Sequence, residues 1–140
     1  MIIVDTNVVS ELMRANPDSA VLAWFAANTA DTLFLTSVSE AELRTGAAIL
    51  PAGQRRDQLV GAIEAMMDQD FAGRILPFDS PAARTYAVIA AARRAAGKPI
   101  MDADCQIAAI ARACGAAMAT RNVKDFEGCG IDVINPWNAV

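Results

Sequence analysis

Short apolar runs alternate with longer amphipathic segments along the whole chain. The runs are MIIVD, TLFLTS, RILPF, AAMAT and IDVIN, which begin at residues 1, 32, 74, 116 and 131. Each is apolar at nearly every position instead of at every second one, which is typical of short strands buried on both faces. The pattern therefore predicts five strands, of which the last, IDVIN, is short.

Helical periodicity fills the intervals between these runs, with starts and stops marked by Ser, Pro and Gly. The predicted helices are Val8 to about Met13, capped by Thr6 or Asn7; a second opened by Pro17, with Val21, Leu22, Trp24 and Phe25 on its apolar side; Ser39 to about Leu50; 54–70; Ser80 to Gly97; and a helix within 99–115, PIMDADCQIAAIARACG, ended by Gly115.

Strands that alternate with helices favour a parallel sheet covered by helices on both faces. The fold class is therefore α/β, a three-layer α/β/α domain with a central, mostly parallel sheet of about five strands. We find no repeat, linker or low-complexity tract, so a single domain over residues 1–140 is expected.

The amino-acid composition excludes several kinds of active site. The chain has no histidine, which excludes Ser-His-Asp and Cys-His sites and most zinc sites. Three cysteines without a CxxC spacing, two of them in the segment 99–115, are expected to be buried in a reducing cytoplasm. No transmembrane span or signal peptide is expected. The net charge of −4 does not attract nucleic acid, so a phosphate ligand needs local cations or a bound metal.

Acidic and amide side chains are predicted to meet at one edge of the sheet, because ligands of open parallel sheets bind beyond the carboxyl ends of the strands. Asp5 ends the first strand, Glu42 follows the second, and Asp104 begins the helix before the fourth. Asn122 and Asp125 come directly after the fourth strand.

Each acid also has a structural alternative. Asp5 can act as a helix N-cap, and Ser39 with Glu42 matches the capping box S-x-x-E. Asp102 is the expected cap of the 99–115 helix, Asp125 can cap a turn before Phe126, and Asp79 is expected to be a cap near Pro81, outside the site.

Asp104 is the acid hardest to explain structurally. With Asp102 as cap it lies inside the helix, and apolar residues follow it at three, four and seven positions: Ile107, Ala108 and Ala111. A buried carboxylate must be paired, protonated or bound to a metal. Several carboxylates at one edge without histidine favour Mg²⁺ or Mn²⁺ over zinc and suit phosphoryl chemistry.

Four acid-bearing segments carry a family resemblance. They are IIVDTNVVSEL, SEAELRTG, DADCQIAAIA and ATRNVKDF, and RILPFD and the terminal NPW support them. Together these segments resemble the PIN-domain ribonucleases. Among those, the resemblance is to the FitB-like branch of VapC-type toxins of bacterial type II toxin–antitoxin systems. The resemblance covers essentially the whole chain. It implies a cytoplasmic, Mg²⁺-dependent endoribonuclease that cuts RNA, often tRNA or rRNA. It also implies a homodimer neutralised by a DNA-binding, VapB/FitA-like antitoxin.

The resemblance also assigns site residues. Asp5, Glu42 and Asp104 match the three recurrent acids, with Asp5 and Asp104 as metal ligands and Glu42 positioning metal or water. Thr6 and Thr120 match small hydroxyl positions beside the site. Asn122 stands where the family usually has a fourth acid, and Asp125 is the candidate to replace that acid. The resemblance leaves open whether the site binds one metal ion or two.

RNA would need positive contacts, and three residues are the candidates: Arg121 and Lys124, which flank the site, and Arg44. Arg55 with Arg56, and Arg93 and Arg94 with Lys98, are basic as well, and all these residues also fit solvated helix surfaces. Aromatic residues are few, and Trp24 and Phe25 are assigned to the core, so no RNA-stacking platform is expected.

Two other functions fit an α/β protein with acids at strand ends. One is a phosphoacceptor or Asp-nucleophile phosphatase; the phosphatase needs D-x-D after the first strand, whereas this chain has Asp5-Thr6-Asn7. The other is a non-catalytic PIN-like scaffold that serves as the partner of a DNA-binding antitoxin.

Overall fold

Five parallel strands form the centre of the computed structural model, which describes residues 1–138. The strands are β1 (Ile2–Val4), β2 (Leu33–Thr36), β3 (Ile75–Leu76), β4 (Ala117–Ala119) and β5 (Val133–Ile134). They run in the order β3-β2-β1-β4-β5, and every neighbouring pair is parallel. The predicted α/β class and the five-stranded parallel sheet are confirmed.

Six helices surround the sheet: α1 (Thr6–Leu12), α2 (Ser19–Ala27), α3 (Ser37–Ala48), α4 (Gln54–Ala65), α5 (Ser80–Ala95) and α6 (Asp102–Ala113). Two short 3₁₀ turns, Ala30–Thr32 and Val123–Phe126, and one π turn, Met66–Asp70, complete the regular structure. Among the described residues, no helix combines the length and the apolar character needed to cross a membrane.

Two apolar clusters hold the layers together. One packs α1 to α4 against the sheet around residues such as Val8, Leu35 and Ile63, and the other packs α5 and α6 around Ile89 and Ile107. Both faces of the sheet are thus covered, as the apolar strands predicted.

Burial of the 99–115 segment was predicted correctly except at its end. Ile107 and Ala111 of α6 are fully buried, and Cys105 is too. Cys129, outside the segment, is also buried, but Cys114 is exposed, contrary to the prediction. Cys114 is the C-cap of α6, at the turn that leads through Gly115 into β4.

The first and third helices begin earlier than predicted. Asp5 caps α1, so neither Thr6 nor Asn7 does. The cap of α3 is Thr36, whose hydroxyl accepts the N–H of Ser39 at 3.1 Å. The predicted Ser39–Glu42 capping box is therefore wrong, because α3 starts directly after β2 and Ser39 already lies within the first turn.

The cap assigned to α6 is also wrong. Met101 occupies the N-cap position without a side-chain hydrogen bond, and Asp102 is the first helical residue. The Asp102 carboxylate instead accepts the hydroxyl of Tyr86 at 3.2 Å. Asp104 consequently lies in the first turn of α6, not in its interior. Asp79, by contrast, caps α5 as predicted, accepting the N–H of Ala82 at 3.1 Å.

Gly115 and Gly61 provide a matched test of the backbone at the end of α6. Gly115 has φ +67°, whereas Gly61 is helical, and an added Cβ at either meets no atom within 4 Å. We expect Gly115→Ala to lower the free energy of unfolding by about 1 kcal/mol through left-handed strain. Gly61→Ala should raise it by roughly 0.5–1 kcal/mol. Urea denaturation measures both, and changes of the same sign would contradict this assignment.

Candidate active site

A cleft of about 470 Å³ contains all three predicted acids, Asp5, Glu42 and Asp104. We call it the acid cleft. Its other walls are formed by Thr6, Asn7, Ser10, Glu11, Arg14 and Asn122. Each acid follows the carboxyl end of a strand or begins a helix at the same edge, so the topology brings together residues that are far apart in the sequence.

Asp5 is the most constrained of the three acids. Its backbone N–H donates to the carbonyl of Ala119 at 2.9 Å, which links the end of β1 to β4. Its Oδ1 accepts the N–H of Thr6 at 2.8 Å, and its Oδ2 accepts the Thr120 hydroxyl at 2.8 Å and the Asn7 amide at 3.2 Å. Because the residue is only 5% exposed, these donors determine where the carboxylate points.

The charge of Asp5 is nevertheless disfavoured. Burial raises the pKa of its carboxyl, the hydrogen bonds from Thr120 and Thr6 lower it, and the charges of Glu42 and Asp125 raise it further. Burial is the largest of these effects, so the net shift of the pKa is upward.

Glu42 is held by a short chain of hydroxyl groups. The Thr6 Oγ1 lies 2.8 Å from the Ser39 Oγ and 2.8 Å from the Glu42 Oε1. Since Thr6 has one hydroxyl hydrogen and Glu42 can only accept, Ser39 donates to Thr6 and Thr6 donates to Glu42. The buried Ser39 thus fixes an exposed carboxylate across the interface between α1 and α3.

Asp104, like Asp5, has a raised pKa. Burial, followed by the charges of Asp5, Asp125 and Glu42, raises the pKa of its half-buried carboxyl from 3.8 to about 6, while Arg93 lowers it. Within residues 1–138 it joins no ion pair. Burial of the carboxylate, together with repulsion from the neighbouring acids, is therefore the unfavourable condition that a ligand of this site relieves.

The donor set fits a hard divalent cation. Oxygen ligands without imidazole or thiolate suit Mg²⁺ or Mn²⁺. No three acids of residues 1–138 lie close enough to form a ready-made metal cage. Mg²⁺ does not require one, because it usually binds through one or two carboxylates, keeps several waters and contacts the phosphates of a substrate. Asp5 and Asp104 are the pair that matches this mode.

Asn122 borders the acid cleft, whereas Asp125 lines the neighbouring one. The Thr120 hydroxyl, which donates to Asp5, accepts the N–H of Asn122 at 3.1 Å. Asp125 lies inside the 3₁₀ turn, which its backbone N–H closes by donating to the carbonyl of Asn122 at 3.0 Å. The predicted side-chain cap by Asp125 is therefore wrong, although its charge does reach Asp5 and Asp104.

Asn7 is a site residue that the sequence reasoning missed. Its amide donates to Asp5 and, at 3.3 Å, to the Thr120 hydroxyl, and its Oδ1 accepts the N–H of Arg121 at 3.2 Å. It therefore joins α1 to the segment after β4. Its position two residues after Asp5, at the start of a helix, was the available signal.

Arg93 is the second residue whose role the sequence did not reveal. Its side chain was expected on a solvated helix surface or in contact with RNA. It is buried, and its guanidinium donates to the carbonyls of Lys98 at 2.7 Å, Asp125 at 2.7 Å and Glu127 at 3.0 Å. Arg93 thus holds the segment that carries Asn122 and Asp125. Ile89, one helical turn earlier and fully buried, indicated that Arg93 faces inward and its neighbour Arg94 outward.

The three candidate RNA contacts lie in different environments. Arg44 is paired with Glu40 at 2.8 Å and with Glu64, so its guanidinium is already engaged on the surface of α3 and α4. Arg121 lies over the ring of Trp137, 5.0 Å from its centroid. Lys124 is exposed, and neither Arg121 nor Lys124 has a carboxylate partner in the described part of the chain.

Comparison with known proteins agrees with this architecture. Residues 2–127 match the PIN domain family. The chain is 49% identical to the VapC ribonuclease Y4jK of Sinorhizobium fredii over 98% of each protein. The crystal structure of FitAcB from Neisseria gonorrhoeae superposes with a TM-score of 0.93 at 40% identity, covering 99% of both chains. A structure of FitAB bound to an IR36 DNA fragment gives 0.93 at 39% identity, covering 99% of this chain and 96% of that one.

The chain belongs to the PIN-domain family. Within it, the full-length similarity places the chain among the VapC- and FitB-like toxins. The resemblance noted from the sequence is thereby confirmed.

The raised pKa of Asp104 leads to a stability prediction for the metal-free protein. Between its unfolded pKa of 3.8 and its folded pKa of about 6, the folded state binds more protons, so stability falls as the pH rises. Asp104→Asn cannot titrate there. In EDTA at about pH 8 we expect it to be more stable than wild type by ~1 kcal/mol, a value reduced for solvent screening, and to lose this advantage at about pH 4.

Asp102→Asn is the matched control, since it removes a carboxylate from the same turn of α6. It should bring no gain, because Asp102 lies outside the acid cleft and accepts a hydrogen bond from Tyr86. Urea denaturation at both pH values measures the difference. A pH-independent effect of Asp104→Asn would contradict the repulsion.

Proposed function

We propose that this chain is a metal-dependent endoribonuclease toxin that cuts RNA by attack of water on a phosphodiester. The observation that supports it best is the convergence of Asp5, Glu42 and Asp104 in one cleft, where their charges repel one another. The family membership agrees with this, because the VapC relative is named a ribonuclease. A cleft of this sign repels a phosphate unless a cation intervenes.

Mg²⁺ is the proposed cofactor, with Mn²⁺ as a substitute, and Asp5 and Asp104 are the proposed ligands. When bound, the cation supplies the Lewis acidity that phosphodiester hydrolysis needs and offsets the charge of the phosphate. Asp5 is suited to this role because Thr6, Asn7 and Thr120 already hold its carboxylate in one orientation.

Glu42 is the proposed proton acceptor for the attacking water. The Thr6 hydroxyl donates to Oε1, and Glu42 borders the acid cleft, so the other oxygen, Oε2, is the one available to act as a base. General-base catalysis requires such a group within hydrogen-bond reach of the water. Asn122 at the border of the cleft can offer an amide oxygen or donate to the phosphate, and Asp125 adds negative charge from outside the cleft.

The proposed partners follow from the relatives. The FitAB structure contains a DNA fragment, and its toxin component is similar to this chain over nearly its whole length. We propose that a DNA-binding antitoxin likewise neutralises this chain, in a hetero-oligomer built on a toxin homodimer. The proposed substrates are tRNA or rRNA.

An Asp-nucleophile phosphatase is less compatible with the site. Asp5 is the residue that would carry the phosphoryl group, but it is 5% exposed and both its oxygens accept hydrogen bonds. The second acid of D-x-D is also replaced by Asn7, whose amide binds Asp5. A non-catalytic scaffold remains the alternative that the cleavage experiment addresses.

Conservative substitutions test the catalytic assignment. We expect Asp5→Asn, Glu42→Gln and Asp104→Asn to fold and to lose at least about a hundredfold in Mg²⁺-dependent RNA cleavage, since each removes a charge from the first layer around metal or water. Induced expression of each variant should also leave growth unaffected, whereas wild type should arrest growth unless the antitoxin is co-expressed.

Asp102→Asn is again the control and should cleave RNA like wild type. A wild-type protein that never cuts RNA, yet binds the antitoxin, would support the scaffold alternative. Full activity of Asp104→Asn would contradict the metal site.

Metal binding can be measured without turnover. Mg²⁺ or Mn²⁺ at about a hundred times its dissociation constant should stabilise wild type by roughly 2.7 kcal/mol, seen as a rise in melting temperature. Asp102→Asn should respond equally, whereas Asp104→Asn should respond little, because half of the ligand pair is gone. An equal shift for all three proteins would place the bound cation elsewhere.

A further inference from the structure

A second cleft, of about 690 Å³, adjoins the acid cleft, and Asn122 borders both. Its walls come from the segment after β4 and from the C-terminal turn after β5. Three kinds of polar side chain line it: the cations Arg121 and Lys124, the amides of Asn122, Asn135 and Asn138, and the carboxylates of Asp125 and Glu127.

Arg121 is held beside this cleft by an aromatic ring. Its guanidinium lies 5.0 Å from the ring centroid of Trp137. The half-buried Trp137 packs against the core, and its N–H donates to the Asn135 Oδ1 at 3.0 Å, so the ring is itself well anchored. A guanidinium placed over an aromatic ring keeps its N–H edge for acceptors and its outer face for stacking.

The cleft is also tied to the predicted metal ligands. The N–H of Arg121 donates to Asn7 at 3.2 Å, and the amide of Asn7 donates to Asp5 at 3.2 Å. Thr120, the residue before Arg121, donates to the same carboxylate at 2.8 Å. Consecutive residues of one short segment therefore serve the two clefts, and their relative position is well defined.

Single-stranded RNA matches the chemistry of this cleft. Unpaired bases stack on guanidinium planes and aromatic rings, and side-chain amides hydrogen-bond to their edges. Lys124 and Arg121 have no carboxylate partner among the described residues, so they can meet a phosphate. Asp125 and Glu127 line the same cleft and offset the charge of these two cations, so stacking, not charge, should dominate binding.

We propose that this cleft, the Arg121–Trp137 subsite, binds the RNA nucleotide next to the phosphodiester that is cut. The base stacks on the Arg121 guanidinium, the phosphate contacts Lys124, and the asparagine amides face the base edge. The proposal rests on the proposed ribonuclease function and adds the residues that select the nucleotide. The sequence indicated no stacking platform, because Arg121 and Trp137 meet only in the folded chain.

Trp137 reports on this subsite through its contact with Arg121, and it is the useful probe because the only other tryptophan of the sequence, Trp24, is buried in the core. The experiment uses the Asp104→Asn background in EDTA, so that the RNA stays intact. A labelled single-stranded RNA of about ten nucleotides and mixed sequence is titrated, and both RNA anisotropy and tryptophan emission are recorded. We expect a saturable change in emission that Trp137→Phe abolishes while Trp24 remains.

Arg121 variants then test the stacking. Arg121→Ala should weaken RNA binding about tenfold, and Arg121→Lys should weaken it severalfold because the charge remains but the plane is lost. Arg84→Ala, which removes an exposed cation of α5 outside both clefts, should bind like the background protein. The salt dependence of binding should be shallow. In the Mg²⁺-active chain, Arg121→Ala should raise KM more than it lowers kcat.

The outcomes separate this proposal from the proposed function. One result is that the wild type cuts RNA while Trp137 emission does not change, and another is that it cuts RNA while Arg121→Ala and Arg84→Ala affect binding equally. Either result overturns the subsite and leaves the ribonuclease function standing. Absence of both cutting and binding overturns the ribonuclease function as well. A Trp137 response to co-purified antitoxin but not to RNA makes the cleft a protein contact and overturns the subsite.

Discussion

The buried carboxylate of Asp5 is the point on which the rest of the site depends. It ends β1, caps α1 through the Thr6 N–H, and accepts the hydroxyl of Thr120 from the end of β4. One side chain therefore connects a strand, a helix and the neighbouring strand. Its structural and proposed catalytic roles are not alternatives, because the same hydrogen bonds that cap the helix also orient the oxygens toward the acid cleft.

This arrangement carries an electrostatic cost at neutral pH, which a bound cation or protonation of a carboxylate removes. Burial and mutual repulsion raise the pKa of Asp5 and Asp104, and the nearest buried cation, Arg93, is committed to backbone carbonyls. An arginine that paired with Asp104 would stabilise the fold but would also occupy the place of a metal. The site thus retains unfavourable charge in the ligand-free state, which is typical of groups tuned for function.

Much of the fold could be predicted from the sequence. Continuous apolar runs indicate buried strands, and the alternation of strands with helices indicates that the strands are parallel. Asp104 was found for the same reason, as an acid among apolar neighbours. The cap of α3 was misassigned because Ser39 satisfies the local preference as well as Thr36 does, and the cap of α6 because Asp102 satisfies it better than Met101, the residue that occupies the position. Arg93 and the Arg121–Trp137 contact depend on distant segments meeting, and local patterns do not contain that information.

The acidic character of the chain and its proposed RNA substrate are compatible once charge is considered locally. A net charge of −4 disfavours general attraction of RNA, so affinity must come from contacts that a repelling field does not cancel. The proposed cation at Asp5 and Asp104 would provide one such contact, and the proposed base stacking would provide another. Because Asn7 and Thr120 tie both clefts to the same carboxylate, the proposed nucleotide on Arg121 would have its neighbouring phosphodiester beside the acids. On this proposal, the hydrogen-bonded segment Thr120–Asn122 both selects the nucleotide and aligns the bond to be cut.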